Sequence, residues 1–529
     1  MDKGIEKRIC LLIIALLFTA CSGDNMQFKT ITKAGLTDKI KGGWAGKMIG
    51  VSYGIRFEFS PMGSIMEDPI PWEPEMIEYA LRDDDLYGQM CFMSTMGRNQ
   101  GLKTPVAEIA SDFASAQFGL CHANMQARKN ILDGIMPPLS GHPKYNMHAN
   151  DIDFQIESDF IGFINPGMPH AAMLMADSIG RIMAYGDGLY GGMFVSAMHS
   201  LAFFETDAKV IVEKALKCIP SESGYAKTIQ TVIDGYKSDP IDWRKTWATL
   251  QERYGEFDIC VPYHPFNIDA SLNGAYVTMG LMYGENDLRK TIEITIRCGQ
   301  DTDCNAANAA AVLGVMHGYD AINETFKSHI PHIDNQPFAY TEYTFQDAVS
   351  QSYIFAEENI LANGGRMKDD ILKVKTQHPR FTGVLEQSFP DKKPKYQVTM
   401  TDKDQYTLTG DWEDYVNVNG DDNLYKVSTK PGDVFEMKFK GTGITVKGRY
   451  DVDGGTAIAY IDGKQLREFN CYHRGADCAT SVANRYHLVH SMELEDGEHV
   501  IKIEVLDKKN PNSNGNRIYI ERTIVYENN

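Results

Sequence analysis

The sequence is poor in basic residues: its 529 residues include 52 lysines and arginines but 71 aspartates and glutamates, giving a net charge of -19. Proteins that bind nucleic acid need basic patches to neutralise phosphate groups, so this composition argues against a nucleic-acid partner. It fits neutral or metal-bridged substrates better than free polyanions. With 43% hydrophobic residues, the composition is that of an ordinary soluble protein, and the chain is too long for one small domain.

Several motifs that signal a particular chemistry are missing from the sequence. It contains no GxxxxGKS/T loop for phosphate binding, and no Ser-His-Asp or Cys-His nucleophile set stands out. The ten cysteines show no CxxC or other zinc-type spacing. Cys471 and Cys478 are close enough in sequence to form a disulfide in an exported protein, and the remaining cysteines beyond the predicted signal are expected to be buried thiols.

A short apolar run, Ile9–Leu17, follows three basic residues at the N terminus. It is too short to span a bilayer stably and predicts a secretory signal peptide over residues 1–20. After the run, Phe18-Thr19-Ala20-Cys21 places a small residue before a cysteine and resembles the lipobox of bacterial lipoproteins, except that Phe18 stands where such signals prefer leucine. The resemblance implies export and a lipid anchor on Cys21 that holds the protein to the membrane. A plain signal peptide with an incidental cysteine is the alternative.

Two domains of different class are predicted. Over residues 26–388 apolar residues repeat at helical spacing, as at Val212, Leu216 and Ile219, and alternating patterns are scarce, which predicts one all-α domain. The proline- and lysine-rich residues 389–395 predict a linker.

Beyond the linker, residues 396–529 have a period of two, as at Phe435, Met437 and Phe439. Asp-Gly pairs between such runs are typical of hairpin turns. The fold class predicted for the whole chain is therefore multidomain, α then β, with an antiparallel β-sandwich at the end.

Asp301 and Asp303 stand immediately before the alanine-rich residues 306–311. Alanine is the best helix former, so the run predicts a helix, and its small side chains imply close approach to neighbouring helices. The two aspartates would lie at the helix entrance, where free N–H groups and the helix dipole favour negative charge. N-capping alone explains one aspartate there, whereas an Asp-x-Asp pair also suits a hard divalent cation.

A second acidic cluster, Asp83-Asp84-Asp85, precedes another predicted helix. Adjacent like charges repel one another, and a solvated charge run is the ordinary explanation for such a triplet. The aromatic neighbours Tyr79 and Tyr87 make a wholly solvated face less favourable. Together the two acidic clusters can supply a site for two cations.

Three motifs within about residues 31–318 resemble those of ADP-ribosylglycohydrolases and occur in the same order along the chain as in that family. The segment Gly42–Phe59 looks like the family's glycine-rich opening helix, whose motif ends in a glutamate, here Glu58. The family's Thr-Asp-Asp-Thr motif is matched by Asp83–Leu86, and its Asp-x-Asp-Thr-Asn motif by Asp301–Asn305. The resemblance implies an all-α fold with two Mg²⁺ ions at its centre.

The resemblance also implies an activity and roles for residues. The activity would be hydrolysis of an N- or O-glycosidic bond in an ADP-ribosyl, ribosyl or other furanosyl substrate, either a small molecule or a glycan, through an oxocarbenium-like transition state. Glu58 would act as general acid or base or position the sugar, and an exposed loop carboxylate is the alternative for it. The implied catalytic residues are Glu58, Asp84 and Asp303. The implied metal ligands are Asp83, Asp84, Asp85, Asp301 and Asp303.

Three residues depart from the family pattern. Asp83 and Cys304 stand where the family has threonine, and Val51 stands where it has aspartate. A carboxylate is still a hard ligand, but a thiol is a soft one that magnesium does not prefer. One metal position could therefore be weakened, moved or filled by water. The alternative functions are a non-catalytic ligand- or carbohydrate-binding surface lipoprotein with the same fold and a structural role at the cell surface.

A third acidic stretch, residues 151–159, carries acids at helical spacing and predicts a helix with a solvated face. In related proteins a glycine-rich loop near this place contacts the substrate. By that resemblance, Asn165 and Gly167 are the predicted substrate-binding residues.

In the C-terminal domain, the turns at residues 441–444 and 460–464 look like those of galactose-binding-like accessory modules, which implies carbohydrate binding. Four aromatic residues could form a sugar-stacking platform or belong to the core. They are Trp412, Tyr415, Tyr450 and Tyr472.

Overall fold

The computed structural model describes residues 27–416, 423–474 and 486–529. The predicted signal peptide and Cys21 lie outside the described residues. The predicted Cys471–Cys478 bridge is wrong, because Cys471 is a buried free thiol; Cys478 itself lies outside the described residues. Cys121 is disulfide-bonded rather than a buried thiol. In the described part of the chain, no helix is both long enough and apolar enough to cross a membrane.

The N-terminal part is mainly helical, as the sequence predicts. The α-helices are α1 (Lys33–Gly54), α2 (Asp84–Arg98), α3 (Val106–Ser115), α4 (His122–Leu132), α5 (Asp153–Ile156), α6 (Asp159–Phe163), α7 (Pro169–Gly180), α8 (Gly186–Ala202), α9 (Ala208–Ala215), α10 (Gly224–Ser238), α11 (Trp243–Tyr254), α12 (Ala270–Tyr283), α13 (Leu288–Cys298), α14 (Thr302–His317), α15 (Glu324–Lys327), α16 (Ile330–Ile333) and α17 (Phe345–Ala362). Short 3₁₀ helices occupy Ile55–Phe57, Pro74–Arg82, Gly101–Lys103 and Leu216–Cys218.

A small antiparallel sheet that the sequence did not predict joins the two ends of the helical part. It consists of β1 (Phe28–Thr32), β2 (Arg366–Lys368) and β3 (Ile371–Lys375), in the order β1-β3-β2. Only Leu372 and Val374 are fully buried in these strands. Two buried positions give too short an alternating pattern to stand out from a helical background.

Helices α1 and α14 pack together along their lengths at the centre of the helical part. The residues of α1 that face α14 are spaced four apart, which places them on one face of the helix. They are Gly42, Gly46, Gly50 and Gly54. A Cβ atom added at any of these glycines would lie 2.2–2.4 Å from a backbone carbonyl oxygen of α14. The contact confirms the close helix approach predicted from the alanines and fixes the start of α14.

Gly50→Ala is therefore expected to lower the free energy of unfolding by ~1–3 kcal/mol, the usual effect of overpacking. The added Cβ would lie 2.4 Å from the Ala306 carbonyl oxygen. Helix propensity alone predicts the opposite sign, because alanine favours a helix over glycine. Urea unfolding followed by circular dichroism measures the change. The control is Gly497→Ala, where the new Cβ would be 4.0 Å from its nearest neighbour. An unchanged or higher midpoint for Gly50→Ala would show that the two helices can separate at little cost.

The C-terminal part consists of antiparallel strands, as predicted. They are β4 (Lys392–Thr399), β5 (Tyr406–Thr409), β6 (Glu413–Val416), β7 (Leu424–Ser428), β8 (Val434–Gly441), β9 (Gly443–Arg449), β10 (Thr456–Ile461), β11 (Lys464–Asn470), β12 (Tyr486–Ser491), β13 (Gly497–Val505) and β14 (Ile518–Asn528). One sheet has the order β11-β10-β13-β8-β5, and the other has the order β12-β9-β14-β7-β6 with β4 also paired to β14. The two sheets meet where the Thr523 hydroxyl lies 3.1 Å from the Met437 sulfur. Phe435, Met437 and Phe439 are buried, which confirms the period-two interpretation.

Residues 389–395 are structured, although the sequence predicted a linker there. Strand β4 begins at Lys392 and pairs with β14, and Phe389 is buried. Prolines and lysines are common both in linkers and in the edge strands of sheets, so composition alone does not distinguish a linker from an edge strand. The helical and β parts also contact each other directly. Tyr526 donates a hydrogen bond to the Ile259 carbonyl at 2.9 Å.

Candidate functional site

The first acidic cluster lies at the start of α2. Asp83 is the N-cap residue, and its Oδ1 accepts a hydrogen bond from the Asp85 N–H at 3.0 Å. Asp83 and Asp85 are buried, with 4% and 0% exposure, and Asp84 is partly buried. The solvated-run interpretation is therefore wrong for this triplet.

The second acidic cluster lies at the start of α14. Asp301 occupies the N-cap position but makes no capping hydrogen bond, so capping does not account for it. Asp301 and Asp303 are each 3% exposed. One oxygen of each carboxylate, Oδ1, is buried without a hydrogen-bond partner among the described residues. A buried polar atom without a partner is costly and calls for an explanation.

Glu58 follows the 3₁₀ helix at the end of α1 and adds a carboxylate to the same place. Loss of solvent around the carboxyl group, followed by the charges of Asp303, Asp84 and Asp85, raises its pKa. Glu58 is exposed to solvent, as expected if it were only a loop carboxylate, but it also lies close to the buried acids. Glu58 therefore lies where a buried cluster meets solvent.

The six predicted carboxylates influence one another. Burial is the main cause that raises the pKa values of Asp84, Asp85 and Asp303 to about 6. Burial, followed by neighbouring carboxylate charge, also raises the pKa values of Asp83 and Asp301. Two segments more than two hundred residues apart thus form one acidic cluster, which a bound cation would stabilise.

The sequence model of the ADP-ribosylglycohydrolase family matches residues 32–356, which include all six of these carboxylates. The chain belongs to the ADP-ribosylglycohydrolase family. Membership suggests a hydrolase that acts on glycosidic bonds. Comparison with curated proteins finds no match.

Among solved structures, an ADP-ribosylglycohydrolase-related protein complex contains a chain 11% identical to this one, with a TM-score of 0.38 over 62% of this chain and 99% of its own. A family two carbohydrate esterase from Cellvibrio japonicus is 11% identical, with a TM-score of 0.18 over 26% of this chain and 34% of its own. A Paenibacillus xanthan lyase is 15% identical, with a TM-score of 0.19 over 31% of this chain and 18% of its own. These TM-scores are too low to inform fold or function.

The donor atoms at this ADP-ribosylglycohydrolase site fit a hard divalent cation. Oδ1 of Asp85 is buried without a hydrogen-bond partner in the described part of the chain, as are the Oδ1 atoms of Asp301 and Asp303. Carboxylate oxygens are the ligands that Mg²⁺ prefers in proteins. The residues present therefore fit the metal that the family resemblance implies.

Cys304 lies among these carboxylates. Its sulfur and one oxygen each of Asp301 and Asp303 lie within 4.8 Å of one another. Burial, followed by the charge of Asp301, raises the pKa of the Cys304 thiol. A protonated thiol is a poor ligand for Mg²⁺, so oxygen atoms would have to coordinate any Mg²⁺ bound at this end of the site.

Lys47 is a site residue that the sequence analysis missed. It lies in α1 and is fully buried. Its Nζ is 2.8 Å from Asp85 Oδ2 and 2.9 Å from Asp159 Oδ2. It also donates a hydrogen bond to the Ile156 carbonyl at 2.8 Å. Lys47 offsets part of the negative charge and fixes the orientation of Asp85, while Asp85 Oδ1 remains unpartnered. The available signal was that Lys47 is the one charged residue of residues 42–54, the apolar and glycine-rich second half of α1.

The predicted solvated helix over residues 151–159 is wrong. The segment contains the short helix α5 and only the first residue of α6, and Asp153, Glu157 and Asp159 are all buried. The Asn124 amide donates a hydrogen bond to Glu157 Oε1 at 2.9 Å, and the Asn124 N–H donates one to Asp153 Oδ1 at 2.9 Å. Burial is the main cause of the raised pKa values of Asp153 and Glu157, and the charge of Asp84 adds to both. The acidic cluster therefore extends into this segment.

Asn165 and Gly167 make contacts elsewhere in the fold. The Asn165 amide donates a hydrogen bond to the Ile161 carbonyl at 2.8 Å, and the Gly167 N–H donates one to the Ser200 carbonyl at 2.8 Å. A Cβ at Gly167, whose φ is +66°, would lie 2.7 Å from the Phe204 ring. None of these contacts involves a residue of the acidic cluster, and substrate binding by Asn165 and Gly167 stays a prediction.

Two of the four aromatic residues considered for a sugar-stacking platform in the β part pack against other aromatic rings. Tyr450 is buried, with its ring centroid 4.7 Å from that of Tyr486. The ring of Tyr415 packs edge-on against that of Tyr519 at 5.7 Å. The core alternative therefore fits these two tyrosines.

Proposed function

We propose that this chain is a magnesium-dependent glycoside hydrolase that cleaves an N- or O-glycosidic bond of an ADP-ribosyl, ribosyl or other furanosyl substrate. The carboxylates at the starts of α2 and α14 act on one another's pKa values and include buried oxygens without a partner among the described residues, which is the observation that carries this proposal. Bound Mg²⁺ would supply Lewis-acid stabilisation of sugar oxygens and a template for the attacking water. The residues that would hold it are Asp83, Asp84, Asp85, Asp301 and Asp303.

Glu58 is the residue of the cluster best placed to exchange a proton with substrate, because it is exposed while the acids behind it are buried. Its raised pKa suits a carboxyl group that holds a proton near neutral pH. In the reaction, the bond from the anomeric carbon to the leaving group breaks and a bond from water oxygen to that carbon forms. As a carboxylate, Glu58 would accept a proton from the attacking water; as a carboxylic acid, it would donate its proton to the leaving group.

We also propose that the protein acts outside the cytoplasm, held to the bacterial cell envelope by a lipid on Cys21. The basic and apolar residues before Cys21 support this location. An enzyme outside the cytoplasm does not meet intracellular ADP-ribosylated proteins, which makes them poor candidates for its substrate. A free nucleoside, a ribosyl conjugate or a glycan furanoside is then at least as good a substrate. The turns of the β part that resemble accessory modules support carbohydrate binding by that part.

The second candidate function is a binding protein that keeps the fold without catalysis. The buried Cys304 thiol close to Asp301 and Asp303 is the observation that favours it, because the family resemblance implies a harder hydroxyl ligand there. Magnesium-dependent cleavage of any glycoside by the purified protein would exclude this candidate.

Calorimetric titration of Mg²⁺ into the metal-stripped protein tests the site directly. Saturable binding is expected, and the double variant Asp301→Asn/Asp303→Asn is expected to lose it, because it removes two of the carboxylate charges. Asp404→Asn, at an exposed aspartate, is the control and should bind as the parent does. Binding would justify screening ribosides and other furanosides for cleavage. Absence of binding heat in the stripped parent protein would refute the magnesium proposal.

A further inference from the structure

A second cluster of potential metal ligands lies between the helical and β parts. His148 and Cys260 come from loops of the helical part, and His487 comes from β12. One ligand atom from each of the three residues lies within 4.8 Å of the other two. All three residues are buried, with exposures of 0%, 0% and 1%. None of them belongs to the carboxylate site at the starts of α2 and α14.

Both imidazoles present an unpartnered nitrogen. Nε2 of His148 and Nε2 of His487 are buried and make no hydrogen bond of normal geometry among the residues that the structure describes, although the Cys260 backbone lies close enough to the His487 ring to act on its pKa. The two rings lie with their centroids 4.9 Å apart. Buried polar atoms are normally satisfied, so two such nitrogens beside one thiol call for a common partner.

The opposite nitrogen of each ring is held in place. Nδ1 of His148 lies 2.7 Å from Asp151 Oδ2, so the carboxylate oxygen accepts a hydrogen bond from Nδ1–H, and the lone pair of the neutral ring is on Nε2. Nδ1 of His487 lies 2.9 Å from the Thr445 hydroxyl. Histidines that bind metals in proteins are almost always oriented in this way, by a hydrogen bond from the nitrogen that does not touch the metal.

We propose that His148, Cys260 and His487 bind a transition-metal ion, with Zn²⁺ as the preferred metal. The bound ion would link the helical part to the β part. Two imidazoles and one thiolate are ligands that Zn²⁺ favours, and its usual fourth ligand is a water or a carboxylate. Oδ1 of Asp151, which lies 3.9 Å from the Cys260 sulfur, offers such a carboxylate oxygen. On binding, the thiol proton leaves to solvent and the sulfur lone pair goes to the metal.

The charges around the cluster can accommodate the cation. Lys447 donates a hydrogen bond from Nζ to the Cys260 carbonyl at 2.8 Å, and its charge opposes a second positive charge nearby. Asp151 and Asp258 are both buried beside Cys260, with one carboxylate oxygen each within 4.8 Å of its sulfur. Two carboxylates and a thiolate offset the charges of Lys447 and Zn²⁺.

A catalytic role for the same residues is disfavoured. Cys260, His148 and Asp151 have the residue types of a nucleophile, base and orienting acid. Cys260 is fully buried, however, so no substrate reaches its sulfur. Burial also raises the pKa of its thiol, which disfavours the reactive thiolate in the absence of a metal.

Cobalt substitution in the full chain tests the proposal. Zn²⁺ has no optical signature, whereas Co²⁺ bound to a thiolate gives a sulfur-to-metal charge-transfer band in the near ultraviolet. After removal of metals by a chelator, reloading with Co²⁺ is expected to give this band at about one ion per chain at the cysteine-containing site. Added Zn²⁺ should abolish the band. Failure of the parent chain to develop a band would overturn the proposal without any variant.

Variants assign the band to its sulfur atom. Cys260→Ser and His487→Gln are expected to lose it. Cys304→Ser is expected to keep it, because that thiol belongs to the carboxylate site. His490→Gln is the matched control on β12, since His490 is buried but hydrogen-bonds to the Pro143 carbonyl at 2.6 Å. If Cys260→Ser fails to fold, Cys304→Ser still shows which thiol binds the metal, because only a band from Cys260 survives that substitution. A band lost with Cys304, or kept without Cys260 or His487, would overturn the proposal.

Discussion

Replacing Lys47 with methionine is expected to lower the free energy of unfolding by ~3–5 kcal/mol, the usual cost of removing one partner of a buried ion pair. The substitution leaves Asp85 and Asp159 buried, without the cation that lies 2.8 and 2.9 Å from them in the parent protein. Urea denaturation followed by helical circular dichroism measures the loss. Lys103→Met, at an exposed lysine, is the control and should change stability little.

The same substitution should change how stability depends on pH. Although burial acts to raise it, the charge of Lys47 and the hydrogen bond from His199 lower the pKa of Asp159 to about 2. A carboxyl group with a lowered folded-state pKa stabilises the fold above its unfolded pKa, and that contribution is lost as the pH falls from about 4 to about 2. Lys47→Met should remove much of this dependence.

A second substitution separates the ion pair from general damage to the core. In Lys47→Met/Asp159→Asn, one of the two stranded charges is gone, so part of the lost stability should return. His199 and Asn308 can still hydrogen-bond to the new amide, since both contact Asp159 Oδ1 in the parent protein, at 2.7 and 3.0 Å. A double variant no more stable than Lys47→Met would show that the cost comes from packing.

The two helix starts that carry the carboxylates could be predicted from sequence because their signals are local. Asp83 caps α2, and the alanines after Asp303 form α14, as expected from helix-capping and propensity rules. The period-two pattern likewise predicted the antiparallel strands. The sheet β1-β3-β2 and strand β4 were missed, because pairing with a distant strand gives short or edge segments no strong local pattern.

Burial of charge was the main failure of sequence reasoning. The spacing of the acids in residues 151–159 indicated helical structure but not which surface covers them, and tertiary packing buries them. Lys47 was overlooked for the same reason, since its partner Asp159 is more than a hundred residues away. The cysteine spacings predicted no zinc-type motif, and a ligand set drawn from His148, Cys260 and His487 has no local spacing to find.

Glu58→Gln is expected to lower kcat by about 10²–10⁴-fold on whichever furanoside the screen identifies, the usual contribution of a general acid or base. The amide keeps the size of the side chain but can neither hold nor release the transferred proton. Because Glu58 is not among the residues proposed to hold Mg²⁺, calorimetric Mg²⁺ affinity should stay close to that of the parent protein. KM should also change little, since the loss concerns the transition state rather than substrate binding.

Glu75→Gln, at an exposed glutamate of a neighbouring 3₁₀ helix, is the matched control and should keep full activity. The pH profile distinguishes two roles for Glu58. If it exchanges a proton, the parent's kcat profile should show an ionisation that is missing in the variant. If it only positions the sugar, KM should rise while the shape of the profile stays the same. A kcat within about tenfold of the parent value would move the proton transfer to another group, and Asp84, the one partly exposed aspartate of the α2 cluster, would be the next to replace.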